Sequence, residues 1–202
     1  MEKSQLHGLS ADQILSTHHY QYDGSHRNPN ECTLCSMTTL LDLAAKYSEK
    51  DLGLEAVDLG HSLDRIPFRH PRFPAWFPGP GGATHPRAAL KGLEAAIRKL
   101  RKKGIPFPWW PIMLKKQSPS DIEAALDAGH PSLIYGVGRT GIPHVVVPVA
   151  RKEKGWLVLD PGYPSARNPK QWTDAQLVKW WQAYSVFYPA GTMISLRPDG
   201  ID

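Results

Sequence analysis

Residues 32–48 have the sequence CTLCSMTTLLDLAAKYS, and this stretch decides the fold. Its apolar side chains recur every three or four positions, at Leu34, Met37, Leu40, Leu41 and Ala44. That spacing places them on one face of a helix. The sequence therefore predicts an amphipathic helix over about 32–48, whose first turn contains Cys32 and Cys35.

The elements around this helix indicate an α+β fold, with helices first and strands later. Residues 1–31 are polar and end in a loop rich in Gly, Asn and Pro. We expect Thr84 to cap a helix over about 86–103, and Ser118 or Ser120 to cap another that ends at Gly129. The later elements are predicted at 131–137, 144–149 and 156–160 as an antiparallel meander, then a helix capped by Thr173-Asp174, then strands near 184–188 and 193–196.

Residues 61–86 differ from the rest of the chain, because six prolines alternate there with aromatic residues. Such a composition predicts a long loop with little regular structure. The loop is either a lid packed by its own aromatic side chains or a segment that contacts substrate.

Composition limits the class of protein. The 202 residues favour a single domain spanning 1–202, and 41% hydrophobic with 21% charged residues is ordinary globular usage. The net charge of +5 is spread out except for a basic cluster at 98–103, where cations complement a helix C-terminus, so we expect no nucleic-acid partner. Neither an apolar run of about 18–20 residues nor a signal-peptide core is present, so we expect a cytoplasmic protein with no membrane partner.

Cys32 and His144 form the expected chemical pair. A cysteine at a helix N-terminus lies near the positive end of the helix dipole, which favours its thiolate form. A thiolate nucleophile needs a histidine that shares its proton and later protonates the leaving group. His144 opens an apolar strand, where the sheet can hold its imidazole at a cleft.

Asp160 and Gln21 complete the predicted site. Asp160 ends the strand that follows the one opened by His144, so the two residues meet at one end of an antiparallel hairpin. Its carboxylate can then fix the histidine tautomer. Gln21 lies on the loop that leads to Cys32, and its side-chain amide can donate to an oxyanion beside the Cys32 backbone N–H.

These residues resemble a known family. Residues 21–41, QYDGSHRNPNECTLCSMTTLL, resemble the catalytic-helix motif of the C39-like, papain-fold cysteine peptidases, in which a Gln-x-Asp stretch leads to a Cys with Ser four positions later. Here Cys32 and Ser36 hold that spacing. Residues 128–134, His144 and the pair Asp160-Pro161 resemble the second half of the family. The likeness covers about 21–47 and 121–185.

The resemblance implies a papain-like fold, with the catalytic helix in an N-terminal helical half and an antiparallel sheet in a C-terminal half. It implies that Cys32 is the nucleophile, His144 the base, Asp160 the orienting acid and Gln21 the oxyanion residue. The sequence departs from the family at Thr33 and Leu34, where small residues are frequent, and at Pro143, where the family has Gly.

The predicted function is that of a cysteine peptidase. It would hydrolyse a peptide or isopeptide bond of a peptide or protein substrate through a thioester on Cys32, without a cofactor or metal. Two alternatives stay open: a non-catalytic peptide- or protein-binding module of the same fold, and a Cys-His-Asp amidase or acyltransferase.

The Cys-x-x-Cys spacing has other interpretations. A thioredoxin-type redox site requires a preceding strand, and none is predicted here. A zinc site would need His18, His19 or His26 as further ligands, and no second pair completes a standard pattern. Cys35 remains the alternative nucleophile; otherwise we expect it to be a small buried apolar residue.

Overall fold

The computed structural model describes residues 8–22, 32–49, 52–54, 59, 69–70, 73–76, 85–138, 143–183 and 188–199. Within them the helices are α1 (Ala11–Ser16), α2 (Cys32–Tyr47), α3 (Pro86–Lys102), α4 (Pro119–Asp127) and α5 (Asp174–Trp181). The strands are β1 (Arg69–His70), β2 (Phe73–Trp76), β3 (Trp109–Leu114), β4 (Ser132–Val137), β5 (Pro143–Lys152), β6 (Gly155–Leu159), β7 (Lys170–Trp172) and β8 (Thr192–Pro198). This mixture of helices with an antiparallel sheet confirms the α+β prediction.

The main sheet has six strands in the order β3-β8-β4-β5-β6-β7, and every neighbouring pair is antiparallel. The consecutive strands β4 to β7 form the predicted meander, which β7 extends by one strand. Gly136 of β4 pairs with His144 of β5, and Val147 of β5 pairs with Leu159 of β6. The start of β5 and the end of β6 therefore lie at the same end of the sheet.

Helix α2 confirms the predicted helix, but the expectation that it is amphipathic is wrong, because the sheet and α3 both pack against it and bury it on all sides. Every residue from Cys32 to Ala45 except Asp42 is buried. The helix packs against β4 and β5, while α5 packs against β4 and β6. Burying this much apolar surface stabilises the helix far more than the intrinsic helix propensity of its residues. Among the described residues, the structure has no helix that is both long and apolar enough to cross a membrane.

The helix boundaries agree closely with the predictions, and the caps agree in part. Ser118 caps α4, and Thr173 caps α5 by accepting from the Gln176 N–H at 3.2 Å. The expected cap of α3 at Thr84 is wrong, because the N-cap is His85, whose Nδ1 accepts from the Arg87 N–H at 3.1 Å. Pro86 follows at the first helical position, where a missing N–H costs no hydrogen bond.

Two further corrections concern short elements. Helix α1 lies in the segment predicted only as polar, and a capping box joins Ser10 to Gln13 at its start. Strands β1 and β2 pair within the stretch 61–86, so the expectation of little regular structure is wrong at those positions. The remainder of that stretch lies outside the described residues, as do 184–187 of the predicted strand near 184–188.

Candidate active site

Cys32 is the first residue of α2, where backbone N–H groups have no partner within the helix. Its side chain is buried in the core, with 6% of the residue surface exposed. One turn later, the Ser36 hydroxyl donates to the Val145 carbonyl oxygen at 3.1 Å. Because Val145 follows His144 in β5, this bond fixes the start of α2 against the start of β5.

His144 is the second residue of β5. Its Nε2 lies 2.7 Å from Asp160 Oδ1, and the imidazole is also hydrogen-bonded to the Cys32 side chain. Because Asp160 engages Nε2, Nδ1 is the nitrogen left for the sulfur. The structure thus brings Cys32, His144 and Asp160 together in one hydrogen-bonded chain.

Trp180 of α5 covers one side of the imidazole. The rings of His144 and Trp180 meet edge to face, with centroids 6.5 Å apart and an interplanar angle of 77°. Glycine at position 136 makes this approach possible, since a Cβ there would lie 2.3 Å from the indole. The indole excludes water from one side of His144, and a hydrogen bond in a drier setting is electrostatically stronger.

Asp160 follows the last residue of β6, and 6% of its side chain is exposed. Its Oδ1 accepts a second hydrogen bond from the Gly162 N–H at 2.9 Å. A Cβ at position 162 would lie 3.2 Å from that oxygen, so glycine lets the backbone approach the carboxylate without crowding it. The carboxylate is therefore held by the turn that follows it as well as by His144.

Asn168, which the sequence analysis did not include, and His18, which it considered only as a zinc ligand, hold the backbone of Asp160. Asn168 Oδ1 accepts from the Asp160 N–H at 2.9 Å, and its Nδ2 donates to the Asp160 and Tyr163 carbonyl oxygens at 3.2 and 2.8 Å. His18 Nε2 lies 3.1 Å from the same Asp160 oxygen, and its Nδ1 lies 3.1 Å from the Ser165 hydroxyl. Loop residues of this kind have no periodic signal, so nothing in the sequence singles them out.

The charge state of His144 follows from its surroundings. Burial lowers its pKa, but hydrogen bonds to Asp160 and Cys32 and the negative charges of both outweigh burial and raise the pKa to about 10. The imidazole is therefore protonated at neutral pH. Two phenols lie within the electrostatic reach of Cys32: burial raises the pKa of both Tyr135 and Tyr188, and negative charge on Cys32 raises it further. Both phenols therefore stay neutral beside the thiol.

Gln21 is placed by its backbone. Its N–H donates to the Pro161 carbonyl oxygen at 3.0 Å, and 6% of the residue is exposed. Residues 17–22 thus join the turn that follows Asp160. The structure places Gln21 beside that turn, and its oxyanion role stays a prediction.

The structure places Cys35 and the described candidate zinc ligands away from the arrangement that a metal site or a second nucleophile would need. Cys35 has no exposed surface and lies in the core. His19 Nε2 lies 2.7 Å from Asp42, and His18 is engaged at Asp160, while His26 lies outside the described residues. Among the residues that the structure describes, no group of three or more His, Cys, Asp or Glu side chains is arranged to hold a metal ion.

Comparison with known proteins gives a likeness at the level of the fold. No protein-family model matches the sequence, and no curated protein matches it. A crystal structure from Bacillus anthracis, whose description as a C39-like peptidase is itself provisional, matches with a TM-score of 0.61. The match covers 98% of this chain and 100% of the other, at 13% sequence identity. The two chains share a fold. At this identity the likeness concerns the fold alone, and to that extent it agrees with the family resemblance of the sequence.

Proposed function

We propose that this protein is a cysteine peptidase that hydrolyses a peptide or isopeptide bond in a peptide or protein substrate, with Cys32 as the nucleophile. The observation that carries the proposal is the 2.7 Å hydrogen bond between His144 Nε2 and Asp160 Oδ1, in an imidazole that is also hydrogen-bonded to Cys32. The fold shared with a C39-like peptidase supports the same class of reaction.

The resting site is proposed to hold an ion pair between the Cys32 thiolate and the His144 imidazolium. A pKa of about 10 keeps the imidazole protonated at neutral pH. Its positive charge and the N-terminus of α2 both favour negative charge on the sulfur. Asp160 keeps the ring oriented, so that Nδ1 faces the thiolate while Nε2 stays bound to the carboxylate.

Acylation begins when the thiolate attacks the carbonyl carbon of the substrate and forms a carbon–sulfur bond. The carbonyl electrons move onto the oxygen, and donors at the Cys32 backbone N–H and the Gln21 side-chain amide would stabilise that oxyanion. As the oxyanion collapses, the carbon–nitrogen bond breaks and His144 gives its proton to the leaving amine. A thioester on Cys32 and a neutral His144 remain.

Deacylation reverses the roles. Neutral His144 takes a proton from a water molecule, whose oxygen attacks the thioester carbon. The carbon–sulfur bond then breaks, the acid product leaves, and the thiolate–imidazolium pair forms again. The buried phenols of Tyr135 and Tyr188 stay neutral near Cys32, so they do not compete with His144 as bases.

Cleavage of a diverse synthetic peptide library, followed by mass spectrometry, tests the proposal. We expect cleavage products from the wild-type protein and from Cys35→Ala, and none from Cys32→Ala. Products that persist in Cys32→Ala would overturn the assignment of the nucleophile.

Parallel treatment with a peptide vinyl sulfone separates the remaining outcomes. Labelling of Cys32 without cleavage of any peptide would favour an amidase or acyltransferase. Absence of both labelling and cleavage would favour a binding module.

A further inference from the structure

A cavity of about 290 Å³ lies beside α4, β3 and β8. Leu114, Ala124, Ala128 and Met193 give it apolar walls, and the side chains of Arg197 and His130 also line it. We name this space the Arg197 cavity. None of the residues that line it belongs to the candidate active site, so the inference does not depend on the proposed function.

One nitrogen of the Arg197 guanidinium lacks a hydrogen-bond partner among the described residues. Its Nε is buried and makes no hydrogen bond within the part of the chain that the structure describes. Arg101 and Arg151, in contrast, pair with Asp199 and Asp174 at 2.8 Å. A buried guanidinium N–H without a partner raises the free energy of the folded state, and an anionic ligand that reached it would remove that penalty.

His130 offers a second polar group at a fixed position. Its backbone N–H donates to the Ala125 carbonyl oxygen at 2.8 Å, and its own carbonyl oxygen accepts from the Ser132 hydroxyl at 3.1 Å. The edge of its ring meets Trp109, with centroids 6.4 Å apart. Burial lowers the pKa of His130, and the positive charge of Arg197 lowers it further, so the ring is neutral at pH 7 and donates one N–H.

Asp121, which also lines the cavity, limits the charge that the cavity accepts. Its Oδ2 accepts from both the N–H and the hydroxyl of Ser118 at 2.7 Å, which holds the carboxylate at the start of α4 rather than on Arg197. A doubly charged phosphate would be repelled by this fixed negative charge. A single carboxylate that faces Arg197 would be repelled far less.

We propose that the Arg197 cavity binds a carboxylate carried on a short apolar chain. The planar guanidinium matches both oxygens of a carboxylate, and the His130 N–H supplies a further hydrogen bond. The alkyl part lies against Leu114 and Met193. At about 30 Å³ per water molecule, the volume holds roughly ten waters, or a ligand of similar size.

An NMR titration with sodium butyrate tests this inference, with butyramide as the uncharged match. We expect saturable chemical-shift changes from butyrate at Arg197, His130 and their neighbours, and none of comparable size from butyramide. A second arm compares trialanine with its C-terminal amide. Binding of trialanine would show that a peptide C-terminus also enters the Arg197 cavity. Binding of butyrate alone would limit the ligand to a small free acid. Both results support a carboxylate site.

Arg197→Gln should weaken butyrate binding about tenfold or more, because a charge-assisted bidentate contact is lost. Arg98 lies outside the cavity, and its side chain is 61% exposed. Arg98→Gln is therefore the matched control and should bind butyrate as the wild-type protein does. Arg197→Lys keeps the positive charge without the planar guanidinium and should give an intermediate loss of butyrate affinity. This variant replaces Arg197→Gln in the test if Arg197→Gln fails to fold. Equal binding of butyrate and butyramide, or full affinity in the folded Arg197 variants, would overturn the inference.

Discussion

Two histidine–aspartate pairs in this molecule have the same hydrogen-bond length and different surroundings. His144 Nε2 lies 2.7 Å from Asp160, and His19 Nε2 lies 2.7 Å from Asp42. The two histidine side chains are also similarly exposed, at 24% and 27%. One helix contributes to both sites, since α2 carries Cys32 at its first residue and Asp42 further along. The length of the bond therefore does not distinguish the proposed catalytic pair from the pair outside the candidate site.

The difference lies in what surrounds each pair. The His144 imidazole is also hydrogen-bonded to Cys32, whereas the His19 backbone N–H donates to the Thr39 hydroxyl at 3.2 Å and so ties residues 17–22 to α2. The Asp160 side chain is 6% exposed, against 17% for Asp42, and its carboxylate also accepts from a backbone N–H. The first pair lies beside a thiol, as the proposed mechanism requires, and the second joins residues 17–22 to α2.

Replacing the two histidines gives the largest expected contrast. His144→Ala should reduce turnover about a thousandfold or more, because the thiolate loses its proton partner and the leaving amine loses its acid. His19→Ala should change turnover of the folded protein less than about fivefold and act mainly on the melting temperature. Turnover on any accepted peptide and a melting curve for each variant give the result. Equal losses of turnover would remove the distinction between the pairs.

Gln21→Ala should lower turnover about a hundredfold, as expected when one oxyanion donor is removed. The melting temperature should change little, since the backbone N–H that binds the Pro161 oxygen is kept. The same two measurements apply, with Gln171→Ala on β7 as an exposed control. Turnover that survives the change would limit Gln21 to a structural role, even if the triad stands.

Asp160→Asn should lower turnover but leave partial activity, because ring orientation suffers while the chemistry survives. The pKa of His144, raised to about 10 partly by this carboxylate, should fall. Asp42→Asn is the matched variant and should leave the His144 titration where it is. An NMR titration of the His144 ring measures the effect, and an unchanged pKa in Asp160→Asn would contradict the account.

Asn168→Ala should produce the smallest effect on the chemistry. Loss of the Asn168 side chain leaves the buried Asp160 N–H without its partner, at about 1–3 kcal/mol of stability. Turnover should fall only a few-fold, with a modest decrease in the His144 pKa. Chemical denaturation measures the stability, and an NMR titration of the His144 ring measures its pKa. A variant with wild-type stability and wild-type titration would show that Asn168 does not position Asp160.

The sequence predicts the parts of this structure that depend on regular spacing. Helix α2 follows from apolar side chains at helical intervals, and the proximity of His144 to Asp160 follows from two strands joined by a tight turn. The capping box at Ser10 and Gln13 is also a local sequence pattern, of the kind that marks the start of a helix such as α1.

The remaining features depend on contacts between distant segments. His18 reaches Asp160 across 142 positions, and Trp180 reaches Gly136 from another element. Such contacts depend on how loops and helices are placed by the finished core, so no local pattern reports them. The cap at His85 was missed for another reason, since histidine is an uncommon N-cap.

The central claim is that Cys32 and His144 form a thiolate–imidazolium pair, and the pH dependence of alkylation tests it most directly. Iodoacetamide labelling of each cysteine is followed by mass spectrometry from pH 5 to pH 10. We expect rapid labelling of Cys32 already at pH 6. The labelling rate of Cys32 should change again as the pH rises towards 10, where His144 loses its proton. Buried Cys35 should be labelled slowly at every pH. In His144→Ala the reactivity at pH 6 should disappear. Labelling of Cys32 that follows an ordinary thiol, with a midpoint at about pH 8.5, and that is unaffected by His144→Ala, would contradict the account.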